Sequence, residues 1–247
     1  MQNVDRPGRS VIISIVPRAI SPERVKQLID TATDVFIAEG YRRTQMDDVA
    51  RALGVAKGTL YGYVESKAAL FDAAVRCADG HEPLPSPSIL PLLAPKLGST
   101  VASVQARLLK EVSDLELLAA LGRPPPADSG AELASIVRDL YLRMSRNRRG
   151  IKLVDRCAQD QPELAAVWFG QGRWGQHAAL VEYLEQRSSK GLLRRPPSVH
   201  VTARLVLETI AFWAVHRHWD PSPQEVAEAD VQATVVDMVL HGLLKEP

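Results

Sequence analysis

At 247 residues the chain holds one large or two modest domains, and its 46% hydrophobic and 24% charged content excludes a disordered or collagen-like polymer. Thirty Lys and Arg against 29 Asp and Glu leave a net charge of +1, which excludes a uniformly basic nucleic-acid coat protein but leaves room for a local basic face. Cys77 and Cys157 stand 80 positions apart, with neither metal spacing nor a disulfide framework, and so fit a reducing compartment.

No run approaches the roughly 18 apolar residues of a membrane helix, so no membrane partner is expected. The apolar stretch Val11 to Val16 ends at Pro17 and is shorter than the roughly 7–15 residues of an export signal. Residues 1–20 are read as a flexible leader on a soluble, cytoplasmic protein. Proline then divides the chain. After Pro22 none occurs until Pro83, and eight of the seventeen fall between Pro83 and Pro126. Because proline breaks helix interiors, residues 21–81 are expected to be a compact helical unit, 82–98 a Pro-rich linker, and 99–247 a second helical domain. Neither strand-like alternation nor a hairpin signal is evident, so the fold class is all-α.

The first helix opens with Ser21 as cap and Pro22 at the first helical position. Val25, Leu28, Ile29, Ala32, Val35 and Phe36 form its apolar stripe, and Gly40 ends it. Thr44 begins the next helix, with Asp47 as a weak capping-box partner. That helix carries Val49, Ala50 and Leu53 and stops at Gly54; a short third helix near 56–62 returns Leu60 to the core. Small Ala50, Gly54 four positions on and Leu60 six further meet the packing needs of a helix-turn-helix, although a plain structural hairpin satisfies them too. Lys57, Gly58, Thr59, Tyr61 and Tyr63 lie at the outer start of a helix too short to bury much. Side chains there can reach phosphates or base edges in the major groove; buried packing is the alternative for both tyrosines. Lys67, in a first helical turn capped by Ser66, opposes the helix dipole, which a phosphate partner explains; a solvated lysine is the alternative.

These residues carry a resemblance. The stretch Thr44-x-x-Asp-Asp-Val-Ala-x-x-Leu-Gly-Val-Ala-Lys-Gly-Thr-Leu-Tyr-x-Tyr-Val-x-Ser-Lys-x-x-Leu70 resembles the DNA-binding domain of the tetracycline-repressor (TetR) family, and the likeness covers residues 22–80. It implies three helices with a helix-turn-helix, a fourth connecting helix, and a variable all-α domain for ligand binding and dimerisation. It implies phosphate contacts from Thr44 and Lys67, and base or backbone contacts from Lys57, Gly58, Thr59, Tyr61 and Tyr63. Gly62 stands where the family often has a larger side chain, Tyr63 where His is common and Val64 where Phe is frequent, so the operator sequence does not transfer from a relative. Between residues 40 and 67 five cations, Arg42, Arg43, Arg51, Lys57 and Lys67, face Asp47, Asp48 and Glu65, a local excess of +2. A dimer doubles it and sets two recognition helices one DNA turn apart, about 34–36 Å, which predicts a pseudo-palindromic double-stranded DNA operator.

Beyond the linker, helices are expected over 99–121, 129–158 with a break near Gly150, 162–190, 198–219 and 223–245. All four tryptophans (Trp168, Trp174, Trp213 and Trp219) fall between 168 and 219, beside Phe169 and Phe212. The cluster fits a pocket for a small apolar or aromatic effector, or else an ordinary aromatic core. The candidates are Tyr141, Trp168, Phe169, Trp174, His177 and Phe212, with Arg173 and Glu208 as further polar handles. The last two helices, about 198–245, carry stripes of Leu205, Thr209, Phe212 and His216, and of Val231, Val235, Met238, Val239 and Leu243 with small Thr234 and Gly242. They are expected to form a homodimer interface.

Gly170-Gln-Gly-Arg-Trp-Gly175 spells a dinucleotide fingerprint but follows a helical run, where that fingerprint has no strand-to-helix turn to serve. His216 and His218 fall on different sides of a helix, so no metal site is expected, and no cofactor. With no hydrolase, metalloprotease or phosphate-loop motif present, the residues favour a ligand-responsive DNA-binding repressor. An α-helical enzyme, or a protein-binding adaptor with a structural N-terminal hairpin, is the alternative.

Overall fold

The computed structural model describes residues 20–245, so the expected leader lies outside the described residues except for Ile20. Helix α1 (Pro22–Glu39) starts on the Ser21 hydroxyl, which accepts the Arg24 amide at 3.3 Å. Its Val25, Leu28, Ile29, Ala32 and Phe36 are buried, and Gly40 at φ 80° closes it by donating its amide to the Phe36 carbonyl. Helix α2 (Met46–Leu53) and the single turn α3 (Lys57–Leu60) are joined through Gly54 at φ 71°, a left-handed conformation suited to glycine. Helix α4 (Lys67–Cys77) is capped by Ser66 as expected. The cap of α2 is a correction. The Thr44 hydroxyl is buried and donates to the Gly40 carbonyl at 2.7 Å, so the box moves one residue on, where the Gln45 amide donates to Asp48 Oδ2 at 2.9 Å.

The expected 99–121 helix divides into α5 (Ser99–Val112) and α6 (Glu116–Gly122). The long 129–158 pattern breaks at Asn147, not at Gly150, into α7 (Ser129–Arg146) and α8 (Arg148–Ala158). The reason lies across the chain: Asp79, just past α4, takes the Arg149 and Gly150 amides at 3.2 and 2.7 Å and so caps a new helix there. Residues 162–189 form one rod made of α9 (Pro162–Ala165), a π-helical stretch Ala166–Arg173 and α10 (Trp174–Ser189), and the glycine fingerprint falls within it, on helix. Helix α11 (Val199–Ala214) ends in a 3₁₀ turn, His216–Trp219, and α12 (Glu228–Leu243) starts later than expected, beyond Pro221 and Pro223. Among the described residues the one departure from helix and loop is an isolated bridge between Val64 and Leu92.

Two cores result. The first gathers Leu28, Phe36, Val49, Leu53, Leu60, Leu70 and Phe71, but Leu153, Val154, Cys157, Ala158 and Leu164 of α8 and α9 complete it. The expected boundary at residue 81 therefore does not separate two cores. Nor is the proline-rich stretch a loose spacer. Leu92 donates to the Tyr63 carbonyl and accepts the Glu65 amide, both at 2.8 Å, while Leu90 and Leu92 pack against Val25, Ile29 and Ala73.

The second core joins α6, α7, α10, α11 and α12, and it encloses an ion pair that sequence periodicity does not reveal. Arg187, fully buried, donates to both Glu132 oxygens at 2.8 and 3.1 Å and to the Ala120 carbonyl at 2.7 Å. Tyr183 donates to the same carboxylate at 3.2 Å. Burial alone raises the Glu132 pKa, but the Arg187 bonds and charge outweigh it and hold the carboxyl below its usual range. Its contribution is thus fully present above the unfolded pKa and lost as pH falls through the depressed folded value. Glu132→Gln strands a buried guanidinium and is expected to lower stability by about 3–5 kcal/mol in urea unfolding. Adding Arg187→Met should recover part of that loss, and the acid-side decline should be shallower in Glu132→Gln than in wild type.

Candidate nucleic-acid face and effector cavity

The α2–turn–α3 unit presents one face inward and one outward. Met46, Val49, Ala50, Leu53 and Leu60 are buried, which anchors α3 at its last residue. Lys57, Gly58 and Thr59 are exposed on the other side, and Tyr61 is 44% exposed. Lys57 has no carboxylate partner among the described residues, and a Cβ added at Gly58 would meet nothing within 4 Å. The four therefore form an open polar surface one turn long, with a free ammonium, a hydroxyl and a phenol.

Three other expected contact residues are placed differently. Thr44 is buried, with its hydroxyl committed to Gly40. Tyr63 is buried too, and its carbonyl is taken by the Leu92 amide. The Lys67 ammonium donates to the carbonyls of Tyr41 at 2.9 Å, Thr44 at 3.0 Å and Arg42 at 3.4 Å, and it lies 4.7 Å from the Tyr41 ring centroid. A lysine at this helix start is explained by those carbonyls: it ties the α1–α2 turn to α4. In the described conformation all three donors of Lys67 have internal partners, and they fix the turn.

That turn carries two cations named in the sequence only as charge. The side chains of Arg42 and Arg43 are 84% and 65% exposed, with one carboxylate each, at 3.8 Å (Asp160) and 3.6 Å (Glu39). Arg51, by contrast, sits between Asp47 and Asp48 at 3.5 and 3.7 Å. Of the cations between residues 40 and 67, the exposed ones with at most one carboxylate partner are therefore Arg42, Arg43 and Lys57.

A cavity opens between α5, α7, α8, the π-helical stretch, α10 and α11. Leu108, Val112, Leu115, Leu140, Met144, Ile151, Leu207 and Trp168 give it apolar walls, and Arg107, Arg143, Asp155, Arg173, Glu208 and His216 also face it. Of the six expected effector residues Trp168 alone lines it, with Nε1 donating to Asp155 at 3.0 Å. The two polar handles line it as well, Arg173 donating to Glu208 at 2.6 Å.

The other five are corrected. Tyr141 is buried against α12, its hydroxyl donating to Glu228 at 2.8 Å, and burial followed by that carboxylate pushes it up to about 12. His177 is buried at 3.0 Å from the His200 carbonyl. Phe169 packs on the first core under Arg173, Trp174 is largely exposed, and Phe212 borders a separate shallow groove with Trp213 and Arg217. Aromatic clustering in sequence brought these together, but Tyr141 and Phe212 lie on α7 and α11, and the helical rod turns Phe169, Trp174 and His177 to different sides. Among the described residues no group of three His, Cys, Asp or Glu side chains could hold a metal ion, and no helix is long and apolar enough to cross a membrane.

The expected dimer stripe on α12 also divides. Val231, Val235, Val239 and Leu243 are buried in their own chain's core, because α12 packs on α7 and α11. What remains outside is Val201, Leu205 and Phe212 on α11, with Thr234, Met238 and Gly242 on α12; Leu205 and Met238 are each 62% exposed.

Comparison with known proteins agrees with this geometry. Residues 28–74 match the family described as bacterial regulatory proteins, tetR family. The chain is 33% identical over 51 residues to the negative transcriptional regulator of the icaADBC biofilm operon of Staphylococcus aureus, a stretch that is 21% of this chain and 27% of that protein. It is 42% identical over 53 residues to the HTH-type transcriptional regulator YhgD of Bacillus subtilis, 22% of this chain and 28% of that one. The matches thus span little more than a quarter of these relatives' length. Over the whole chain the fold is similar to that of a ketosteroid transcriptional regulator from Mycobacterium tuberculosis, with a TM-score of 0.56 at 18% identity, covering 92% of this chain and 98% of the other. It is also similar to a TetR-family member from Streptomyces coelicolor, with a TM-score of 0.53 at 21% identity, covering 88% and 91%. Residues 28–74 are thus similar to the helix-turn-helix head of the tetR family of bacterial regulatory proteins, and the remainder of the chain shares its all-α fold with solved regulators.

Proposed function

We propose that the protein is a sequence-specific transcriptional regulator, a cytoplasmic repressor that leaves a pseudo-palindromic operator when a small, largely apolar effector enters the cavity lined by Trp168. The observation that carries this reading is the outward face of α3. Lys57, Gly58, Thr59 and Tyr61 stand clear of a core that holds Leu60 and Ala50 rigidly beneath them. A short, firmly backed helix with small residues at its start can enter the major groove, while Arg42 and Arg43 beside it neutralise phosphate. Thr44, Tyr63 and Lys67 support that surface by holding its turns.

Two copies of the head are needed to read a palindrome, and the exposed apolar residues of α11 and α12 supply the joining surface. Val201, Leu205 and Phe212 follow one helix face at spacings of four and seven, with Met238 on the neighbouring helix. The effector acts by differential affinity: it must bind the form whose heads no longer fit the operator better than the form that fits.

The DNA reading is tested by mobility shift on the region upstream of the protein's own gene. Wild type is expected to give a specific, salt-sensitive complex. Lys57→Ala should weaken it and reduce the salt slope by roughly one per subunit, and Tyr61→Ala should weaken it with less change in slope. Unchanged binding by both variants would contradict the assignment. For the dimer, sedimentation should give twice the chain mass for wild type and the monomer mass for Leu205→Glu combined with Met238→Glu.

A further inference from the structure

The arginines of the cavity are not equally paired. Three of its arginines have carboxylate partners within salt-bridge distance: Arg143 with Asp114 and Asp139 at 2.7 and 2.8 Å, Arg173 with Glu208 and Asp155 at 2.6 and 3.3 Å, and Arg204 with Glu208 at 2.7 Å. The lining carboxylates are engaged too, Glu111 by Arg146 at 2.7 Å and Arg143 at 3.7 Å. Arg107 is different. Half-buried on α5, it has no carboxylate within 4.0 Å among the described residues, and its hydrogen bond there is a long one, 3.4 Å, to the Val75 carbonyl on α4.

The nearby acids act on Arg107 by charge but direct their hydrogen bonds elsewhere: both Asp79 oxygens accept the amides at the start of α8, and Glu82 pairs with Arg76 at 3.1 Å. Nor is the position accidental in packing terms. The Arg107 guanidinium lies against Gly150, where an added Cβ would fall 2.1 Å from Nη2, so the space exists only because residue 150 lacks a side chain. Burial, the largest influence on Arg107, lowers its pKa, and the charges of Asp79, Glu111 and Glu82 offset this only in part.

We propose that the cavity takes a monoanionic amphiphile, an apolar body ending in one carboxylate, with the carboxylate on Arg107 and the body against Leu108, Met144, Ile151 and Trp168. This rests on the effector reading above and gives it a chemical class. A guanidinium with no carboxylate in direct contact leaves its donors open to one, and its fork matches a carboxylate in two parallel hydrogen bonds. The apolar walls contribute affinity that a small inorganic anion could not gain. Arg107 also reaches the connecting helix, so the carboxylate would compete for the donor now held by Val75.

The test is a calorimetric and tryptophan-fluorescence titration of the full chain with octanoate, octanol and octanamide, which share an apolar tail and differ in charge. Octanoate is expected to bind roughly tenfold or more tightly than either neutral analogue, the factor expected of a charge-assisted hydrogen bond. Arg107→Gln should abolish that preference while leaving octanol affinity near wild type, and Arg107→Lys should retain part of it. Each preference is a ratio within one protein, so loss of fold does not imitate the result. Equal affinities in wild type, no binding of any probe, or a preference that survives Arg107→Gln would each overturn the proposal. A mobility shift on the same wild-type sample separates the two readings: a specific DNA complex without octanoate preference removes the anion assignment and leaves the regulator standing.

Discussion

At the start of α8 the Asp79 carboxylate takes the Arg149 and Gly150 amides at 3.2 and 2.7 Å, while the Arg149 guanidinium reaches back to Asp30 and Asp34 on α1 at 2.9 and 2.8 Å. Asp79 adopts φ 55°, the one positive value found outside glycine among the described residues. A left-handed aspartate is tolerated because its short side chain is held by the helix end it caps. This joint fixes α8 under the head, and the head depends on it: without Leu153, Val154, Cys157 and Ala158, the inner sides of α1 and α4 would face water. Burial of those four side chains is worth several kcal/mol in total, at roughly 25 cal/mol per Å² of apolar surface removed from water. The head and body are mechanically one piece at this seam.

That arrangement links the cavity to the end of α4. Arg107 and Asn147 line the cavity; Arg107 reaches Val75 on α4, and the buried Asn147 side chain meets His81 just beyond it. Burial, and then Arg107, hold His81 below its ordinary pKa, so it sits uncharged beside these groups at neutral pH. A ligand drawing on Arg107 would therefore disturb contacts at the end of α4, whose other end is tied by Lys67 to the turn ahead of α2. The proline-rich strap holds the far side, joining Leu92 to Tyr63 and Glu65 directly after α3. The recognition unit is thus fastened to α4 on one side and to the proline-rich strap on the other.

Local rules made much of this legible in the sequence. Ser21, Pro22 and Gly40 delimit α1, Gly54 turns α2 into α3, and Ser66 caps α4. The outward residues of α3 followed from the same periodicity, since burying Leu60 leaves Lys57 to Thr59 outside. What escaped was decided by partners far along the chain. Thr44 and Lys67 look like contact residues until Gly40 and the carbonyls of Tyr41 to Thr44 take their donors. Asn147, not Gly150, ends α7 because Asp79 arrives from 70 positions away. The aromatic residues between 141 and 219 share composition without sharing a cavity, since they are spread over α7, the rod and α11, and within the rod a π-helical stretch changes the angle between successive side chains. Arg107 drew no notice because an arginine without a partner is visible only when every nearby carboxylate is accounted for.

If the head has no separate core, it cannot open separately from α8. Native-state amide hydrogen exchange at increasing urea tests this directly, by comparing the slowest amides of α1 and α4 with those of α8. The expected result is one shared opening, with equal free energy and equal urea dependence for all three helices. Exchange of α1 and α4 through a distinct, lower-energy opening while α8 stays protected would contradict it.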